Sequence, residues 1–344
     1  MSIANALSGL TVTARGTEVI ASNLANALTP GYARRELELS PRITAGNGGG
    51  VQVGSINRIV SATVLSEFRT ANAEVARSAV TLDFYKSLEA KIGLPSEGGS
   101  LSAMLSDLDA SLISAASRPD SEIRLRAVFE AADQLVKKIR TVSTAIQDSR
   151  TEADRQIGLK VESLNNDLAE IARLNRQIIV EQANGRDASS LADARQVVID
   201  RISLTIPVRE VPRDNGRIAL FSSGGAVLID GSDPTRLDFN LSGRMTPEVD
   251  ESSTQIGSLM LDGVKATPAQ MDLLSGGPLL ELFKLRDEYG VAAQASVDAI
   301  ARELHDRFAN PTIDPSIVPG GLACLRMRMG ALIQRENEDW RLVL

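Results

Sequence analysis

Aromatic side chains are scarce in this sequence, at 3% of 344 residues. The core must therefore be assembled from Ala, Leu, Ile and Val, which suits long helices packed along a shared seam. A single cysteine, Cys324, excludes an internal disulfide framework and any cysteine-based zinc spacing. A single histidine, His305, excludes a His-based metal cluster. Beside Asp306 and Arg307 in an amphipathic stretch, it reads as part of a solvated face. No run approaches the roughly 20 apolar residues that a membrane span requires, so no membrane insertion is expected. A Sec-type signal is not legible either, because the first basic residue is Arg15 and Ser8 and Gly9 interrupt Leu7 to Leu10. Basic residues form no block, and the net charge is −7. That balance argues against a nucleic-acid partner, whose binding needs clustered positive charge.

Catalytic signatures are missing as well. There is no GxSxG elbow, no Walker A loop and no HExxH pair. Gly46-Asn47-Gly48-Gly49-Gly50 does not lead from a parallel strand into a helix, so it reads as a flexible turn and not a phosphate loop. Asp83, Glu89, Asp107, Asp109, Glu251 and Asp262 have nothing in sequence that pairs them across a cleft. Arg34-Arg35 and Lys137-Lys138 are too sparse for a nucleic-acid patch. No enzyme, cofactor or metal site is expected.

What the sequence does have is helical period. Ile3, Leu7, Leu10, Ala14, Thr17, Ala21, Leu24 and Leu28 step by four and three without a break. That spacing keeps one seam facing a partner helix, as a coiled coil requires. Thr29-Pro30-Gly31 stops the helix, since proline disfavours the α conformation in the residue before it. A helix over 2–28 is predicted, followed by half-buried extended chain in which Leu37 and Leu39 alternate with polar neighbours. A second helical region runs from about Ile59 to Ile92, and a third over 101–116. Pro119-Asp120-Ser121 starts the longest helix, which keeps its period to about Ala183 through Leu135, Ile139, Val142 and Ile146, then Leu164, Leu168, Ile171 and Ile178. A shorter helix covers 189–203. Between Ile206 and about Lys265 the apolar period becomes alternating, and Ser223-Gly224-Gly225 looks like a hairpin turn. Helix resumes from Pro278 to Phe308, before a proline-rich stretch from Pro311 to Pro319.

The fold class predicted is mainly α with a β-rich insertion: a long-helix bundle, an N-terminal coiled-coil-like helix and a small β module. The expected divisions are 1–58 for the N-terminal helix and extended segment, 59–205 for the long-helix bundle, 206–268 for the β-rich module, 269–310 for a returning helix, and 311–344 for a linker and tail.

The first forty residues read Ala6-Leu7-Ser8-Gly9-Leu10, Ser22-Asn23-Leu24-Ala25-Asn26 and Thr29-Pro30-Gly31-Tyr32. This resembles the N-terminal signature of the flagellar axial families (rod, hook and hook-associated). Ser8, Gly9, Asn23, Asn26, Pro30, Gly31 and Tyr32 carry the match. Further stretches resemble the hook-associated protein 1 family, which joins hook to filament. They are Gly49-Gly50-Val51-Gln52-Val53 with Ile56 and Arg58, the Phe68-Arg69 helix, Ile171 to Ile178, Leu191 to Arg195 continuing to Asp200, and Gly277 through Leu285-Arg286-Asp287. The match extends to about residue 320.

What the resemblance implies is a structural subunit of the bacterial flagellum, acting outside the cell. It would be exported unfolded by the flagellar type III apparatus without a cleavable signal. Its partners would be copies of itself, the hook protein and the next junction protein. A rod or hook subunit is the alternative within the class, and a cytoplasmic coiled-coil scaffold the alternative outside it. A peptidoglycan hydrolase fused to an axial segment ranks behind both.

After Gly320 the pattern departs from the family, whose C-terminal helix pairs with the N-terminal one. The tail from Gly321 to Leu344 carries the only Cys and the only Trp, Trp340, and shows no four-three seam. A premature end, such as a frameshift near Gly321, and a naturally short variant are both open. Either way the Ile3 to Leu28 seam lacks its usual partner from the same chain, and the helix is expected to order only on assembly. Ser22, Asn23, Asn26 and Tyr32 would then make polar contacts in the assembled tube, or Asn23 and Asn26 would serve the helix end.

Overall fold

The structure, a computed structural model, describes residues 3–44, 47–249 and 256–309. The expectations for the linker and tail over 311–344 lie outside the described residues. The chain divides into two compact units. The first comprises Met1–Ala79, Ile157–Asn240 and Ser258–Glu281; the second comprises Val80–Gln156, Leu241–Gly257 and Leu282–Leu344.

The first unit begins with helix α1 (Ile3–Ala25). Its threonines are tolerated because their hydroxyls bond back to carbonyls four residues earlier, Thr11 to Leu7 and Thr17 to Thr13 among them. The helix ends three residues earlier than the spacing predicts, so Leu28 lies in the following turn. Hydrogen bonds there tighten from Asn26 N–H on Ser22 O to Thr29 N–H on Asn26 O, and Pro30 blocks continuation.

Strands β1 (Arg34–Thr44) and β2 (Asn47–Ile59) then pair antiparallel, with Leu37 opposite Ile56 and Leu39 opposite Val53. Two points correct the sequence reading. Asn47–Gly50 is part of β2 and not a break before it, and Ile59 closes the strand, so that helix α2 (Ala62–Ile92) starts later. Glycines are accommodated in a strand where pairing is irregular and another backbone comes close. The register shifts nearby, between Pro41 and Ile43, and α1 packs on β2.

The longest element is helix α4 (Glu122–Ala183), which contributes to both units. In the first unit it buries Ile157, Val161, Leu164, Leu168, Ile171, Leu174 and Ile178, a continuous four-three stripe. Each such side chain is worth about 1.5–3 kcal/mol when removed from water. Helix α5 (Ser189–Ser203) adds Val198, Ile199 and Ile202 to the buried set.

The β-rich stretch forms two sheets where one module was expected. The first runs β3 (Val208–Pro212), β4 (Ile218–Ser222), β5 (Val227–Asp230) and β6 (Asp233–Pro234) in sequence order. The second runs β7 (Leu237–Phe239), β8 (Leu259–Leu261) and β9 (Val264–Lys265). Ser223-Gly224-Gly225 connects β4 and β5, as the sequence predicts. Helix α6 (Pro268–Leu273) follows, started by a capping box between Thr267 and Gln270 that the sequence reading passed over.

In the second unit, helix α3 (Leu101–Ser117) is N-capped by Ser100. Val142 and Ile146 of α4 pack with Val297 of the returning helix and with Leu88 and Ile92 of α2. That return was expected as one continuous helix from Pro278. It is instead α7 (Pro278–Lys284), a π turn over Leu285–Tyr289 and α8 (Gly290–Phe308). Gly290, at the start of α8, lies close to α4: a Cβ there would be 2.5 Å from Cγ of Arg150. His305 is half-exposed, with Nδ1 3.3 Å from Asp306 Oδ1, on the solvated face expected for it.

Candidate functional site

The eight seam positions, Ile3, Leu7, Leu10, Ala14, Thr17, Ala21, Leu24 and Leu28, are all exposed. Ile3 is 88% exposed and Leu28 97%, while no residue of α1 is fully buried. The opposite face, which carries Ser8, Val12, Val19, Ser22 and Asn23, is half-buried within the chain. Ser8 Oγ donates to Asn5 O at 2.8 Å and accepts from Val51 N–H of β2 at 3.2 Å. Gly50 faces it so closely that a Cβ would meet Ser8 Oγ at 2.1 Å.

At the helix end, Asn23 binds the Arg35 backbone at both ends of its amide. Its Nδ2 donates to Arg35 O, and its Oδ1 accepts from Arg35 N–H, each at 2.9 Å. Tyr32 Oη donates to the same Oδ1 at 2.9 Å and lies 3.2 Å from Ser22 Oγ. Asn26 Nδ2 donates to Ser22 O at 3.0 Å, and Thr29 Oγ1 donates to Asn26 Oδ1 at 3.2 Å. So Asn23 holds the helix end to Arg35 of β1, Tyr32 joins Asn23 and Ser22, and Asn26 braces the turn, all within one chain.

Gly9 and Pro30 take no such part. A Cβ at Gly9 would meet nothing within 4 Å, and Pro30 is exposed. Gly31 has φ +79°, and a Cβ there would lie 2.3 Å from Cγ2 of Val197 on α5.

Helix α5 supplies the residue that the sequence reading left without a role. Asp193 Oδ1 accepts from Ala33 N–H at 3.2 Å and from Arg58 Nε at 2.8 Å, while Oδ2 accepts from Arg35 Nη2 at 2.8 Å. One carboxylate thus ties the turn after α1, the start of β1 and the end of β2 to α5. Arg35 also lies over the Tyr32 ring, 4.9 Å from its centroid. Two turns along α5, Asp200 accepts from Arg69 Nε at 2.8 Å, and Arg69 Nη1 stands 3.5 Å from Glu210 of β3. Arg69 is only 3% exposed.

The other motif residues are anchors of the same kind. Asn175 is fully buried on α4; its Nδ2 donates to Ile218 O and Gly231 O at 3.1 Å each. Its Oδ1 accepts from Arg195 Nη1 at 2.8 Å. Burial lowers the Arg195 pKa to about 10, with Glu210 opposing that shift and Arg58 adding to it. In the second unit, Arg286 of the π turn donates to Asp154 Oδ1 from Nη1 and to Asp287 Oδ1 from Nε, both at 2.7 Å. Asp154 also accepts from the Ser242 backbone N–H at 2.8 Å and its hydroxyl at 2.7 Å. Arg150 donates to the carbonyls of Arg286, Thr246 and Val249. A signal for these anchors was available in the sequence: Asp193, Asn175 and Arg286 each fall inside a recognised motif. Their contacts, 20 to 160 residues away, were not legible.

A helix fixed along one face and open along its apolar seam, with motif residues committed to holding elements together, defines a helical structural protein. The chain belongs to the FlgK type of flagellar hook-associated proteins. The family model described as the flagellar hook-associated protein FlgK helical domain matches residues 87–311. A second model, flagella basal body rod protein, matches residues 3–32. Among curated proteins, the chain is 26% identical over 242 residues to flagellar hook-associated protein 1 of Salmonella typhimurium, covering 68% of this chain and 43% of that protein. The corresponding proteins of Escherichia coli and Bacillus subtilis are each 24% identical, covering 68% and 61% of this chain and 44% of their own lengths. The chain therefore spans less than half the length of the curated relatives it matches. In fold it is similar to the flagellar hook junction protein FlgK from Burkholderia pseudomallei, with TM-score 0.59 and 19% identity over 71% of this chain and 43% of that one.

Proposed function

We propose that this chain is a structural subunit of the bacterial flagellum at the junction of hook and filament, and not an enzyme. The observation that carries the reading is the continuous exposed seam of α1, from Ile3 to Leu24, on a helix already oriented by the β1–β2 hairpin and Asp193. An apolar stripe of that length left in water favours burial against another helix. Gly9, where an added Cβ would meet nothing within 4 Å among the described residues, fits a neighbour's close approach.

On this reading residues 1–58 line the tube, 59–205 form the middle layer, 206–268 project outward and 269–310 return. Copies pack through non-identical faces, which gives open helical growth instead of a closed ring. One end of the assembly takes the hook protein and the other the next junction protein. The chain leaves the cell through the flagellar type III apparatus and acts outside it. The resemblance of residues 3–32 to rod proteins supports a rod subunit as the second reading.

The test is a deletion strain of the source bacterium, viewed by electron microscopy and complemented with this chain. Hooks without filaments, with the chain recovered from the medium, support the junction role. Absent hooks point to a rod subunit, and retention of the chain in the cytoplasm of a hook-bearing strain rejects both.

A further inference from the structure

In the second unit the returning chain is pinned to α4 at two buried points. Ser143, Gln147, Arg150 and Asp154 step by four, three and four along α4, so they share one face of it. Gln147, Arg150 and Asp154 are buried, which makes a polar ladder where a helix pair usually sets apolar residues. At one end of the ladder Arg286 Nη1 donates to Asp154 Oδ1 at 2.7 Å. At the other end Gln294 Oε1 accepts from Gln147 Nε2 at 2.9 Å and from Ser143 Oγ at 3.0 Å. Arg286 is 2% exposed and Gln294 5%.

Arg286 and Gln294 are eight positions apart. In regular α-helix, at 3.6 residues per turn, that spacing sets two side chains about 80° apart around the axis. Only one of them could then point squarely at α4. The π turn over Leu285–Tyr289 changes the count, because Gly290 N–H donates to Leu285 O, five residues back instead of four. With one residue taken up in this way, eight positions turn the helix as seven would. Seven positions bring the two side chains to within about 20° of each other.

We infer that the π turn is a one-residue register device, which turns Arg286 and Gln294 onto the same polar ladder of α4. The two pins together fix where the returning helix sits along α4. The apolar contacts of the same pairing, Val142 and Ile146 with Val297, select a register only weakly, since one apolar neighbour substitutes for another. A slide of the polar pins is different, because it would strand the Arg286 guanidinium and the Asp154 carboxylate in the interior. Arg150, between the pins, holds the turn itself: its Nε donates to the Arg286 carbonyl at 2.7 Å. This register follows from contacts within the unit and does not depend on what α1 packs against.

The experiment uses the full-length chain with Glu288, an exposed residue of the π turn, deleted. Deletion leaves Arg286 and Gln294 seven positions apart in plain helix, with both pins kept. The expected thermal midpoint is within about 2 °C of the parent. A double-mutant cycle of Gln147→Leu with Gln294→Leu reads the register, and its coupling should be the same in the deletion variant as in the parent. An alanine inserted after Glu288 makes the opposite change and turns Gln294 about 100° off the ladder. There the coupling should vanish, and hydrogen exchange of the α8 amides should rise about tenfold. Loss of the coupling on deletion overturns the inference, as does a deletion variant that does not fold. An insertion variant that keeps the parent's coupling overturns it too.

Discussion

Gly31 and Val197 meet across 166 residues of sequence: a Cβ on Gly31 would lie 2.3 Å from Cγ2 of Val197. Gly31 also has φ +79°, which L side chains rarely adopt. Two independent constraints therefore fall on one glycine of the Thr29-Pro30-Gly31-Tyr32 turn, and the second comes from α5.

Replacing Gly31 with Ala is expected to cost about 2 kcal/mol, from left-handed strain together with the displaced Val197. Urea unfolding measures it, with an unchanged m-value if the fold is kept. A Gly9→Ala control should be within about 0.5 kcal/mol of the parent, since its Cβ meets open space.

Asp193→Ala removes the acceptor for Arg35, Arg58 and the Ala33 N–H together. The expected cost is about 3 kcal/mol, the lower range for breaking a buried pair, because the side chains are 12–19% exposed. Limited proteolysis should then cut around residues 26–33 first, as the turn loses its tie to α5.

Asn175→Leu keeps the branch at Cγ, adds bulk and removes the hydrogen bonds. It leaves the carbonyls of Ile218 and Gly231 and the Arg195 guanidinium short of a partner, at a cost of about 1–3 kcal/mol. Hydrogen exchange of the β4 and β5 amides should rise more than that of α1.

Asp154 and Arg286, each 2% exposed, form a buried pair at 2.7 Å. Asp154→Leu alone is expected to cost about 3–5 kcal/mol by stranding the guanidinium, and the double variant with Arg286→Met should recover part of that. A double-mutant cycle by thermal unfolding decides it. Recovery will be incomplete, because Asp154 also holds Ser242 and Arg286 also binds Asp287.

Acid should unfold the chain from its carboxylates. Hydrogen bonds from Arg155 and Gln156 hold the Glu152 pKa below 4.5, Arg173 does the same for Glu170, and Arg213 holds Asp230 below 3.8. For acids with a depressed native pKa, the stabilisation is complete above the unfolded value and is lost as pH falls through the native one. Stability should be flat above about pH 5 and decline below about pH 4. Because Glu152 and Asp230 are exposed and Glu170 is half-exposed, the single variant Glu170→Gln should alter the slope only slightly.

The helices were legible because their signals are local. The four-three stripe of α4 placed it to within two residues, and α5 was placed at both ends. The N-terminal motif was legible as residue identity. Elements set by distant contacts were not legible in this way. Asn47–Gly50 looked like a turn and is strand, because glycine lets β2 run against Ser8 of α1. The π turn at Leu285–Tyr289 looked like plain helix, and the contact it makes from Arg286 to Asp154, 132 residues earlier, lies outside any local pattern.

By itself, the sequence determined the period of α1 and α4, the apolar seam of α1 as a pattern, and membership of a family through its motifs. Periodicity and turn chemistry act within a few residues, so they can be read in order along the chain. The tertiary structure alone decided that the seam faces water while the opposite face of α1, with Ser8, turns towards β2, and that Asp193 ties three separate segments together. Hydrogen bonds and close approaches between distant residues depend on where the folded backbone brings them, which no local pattern contains.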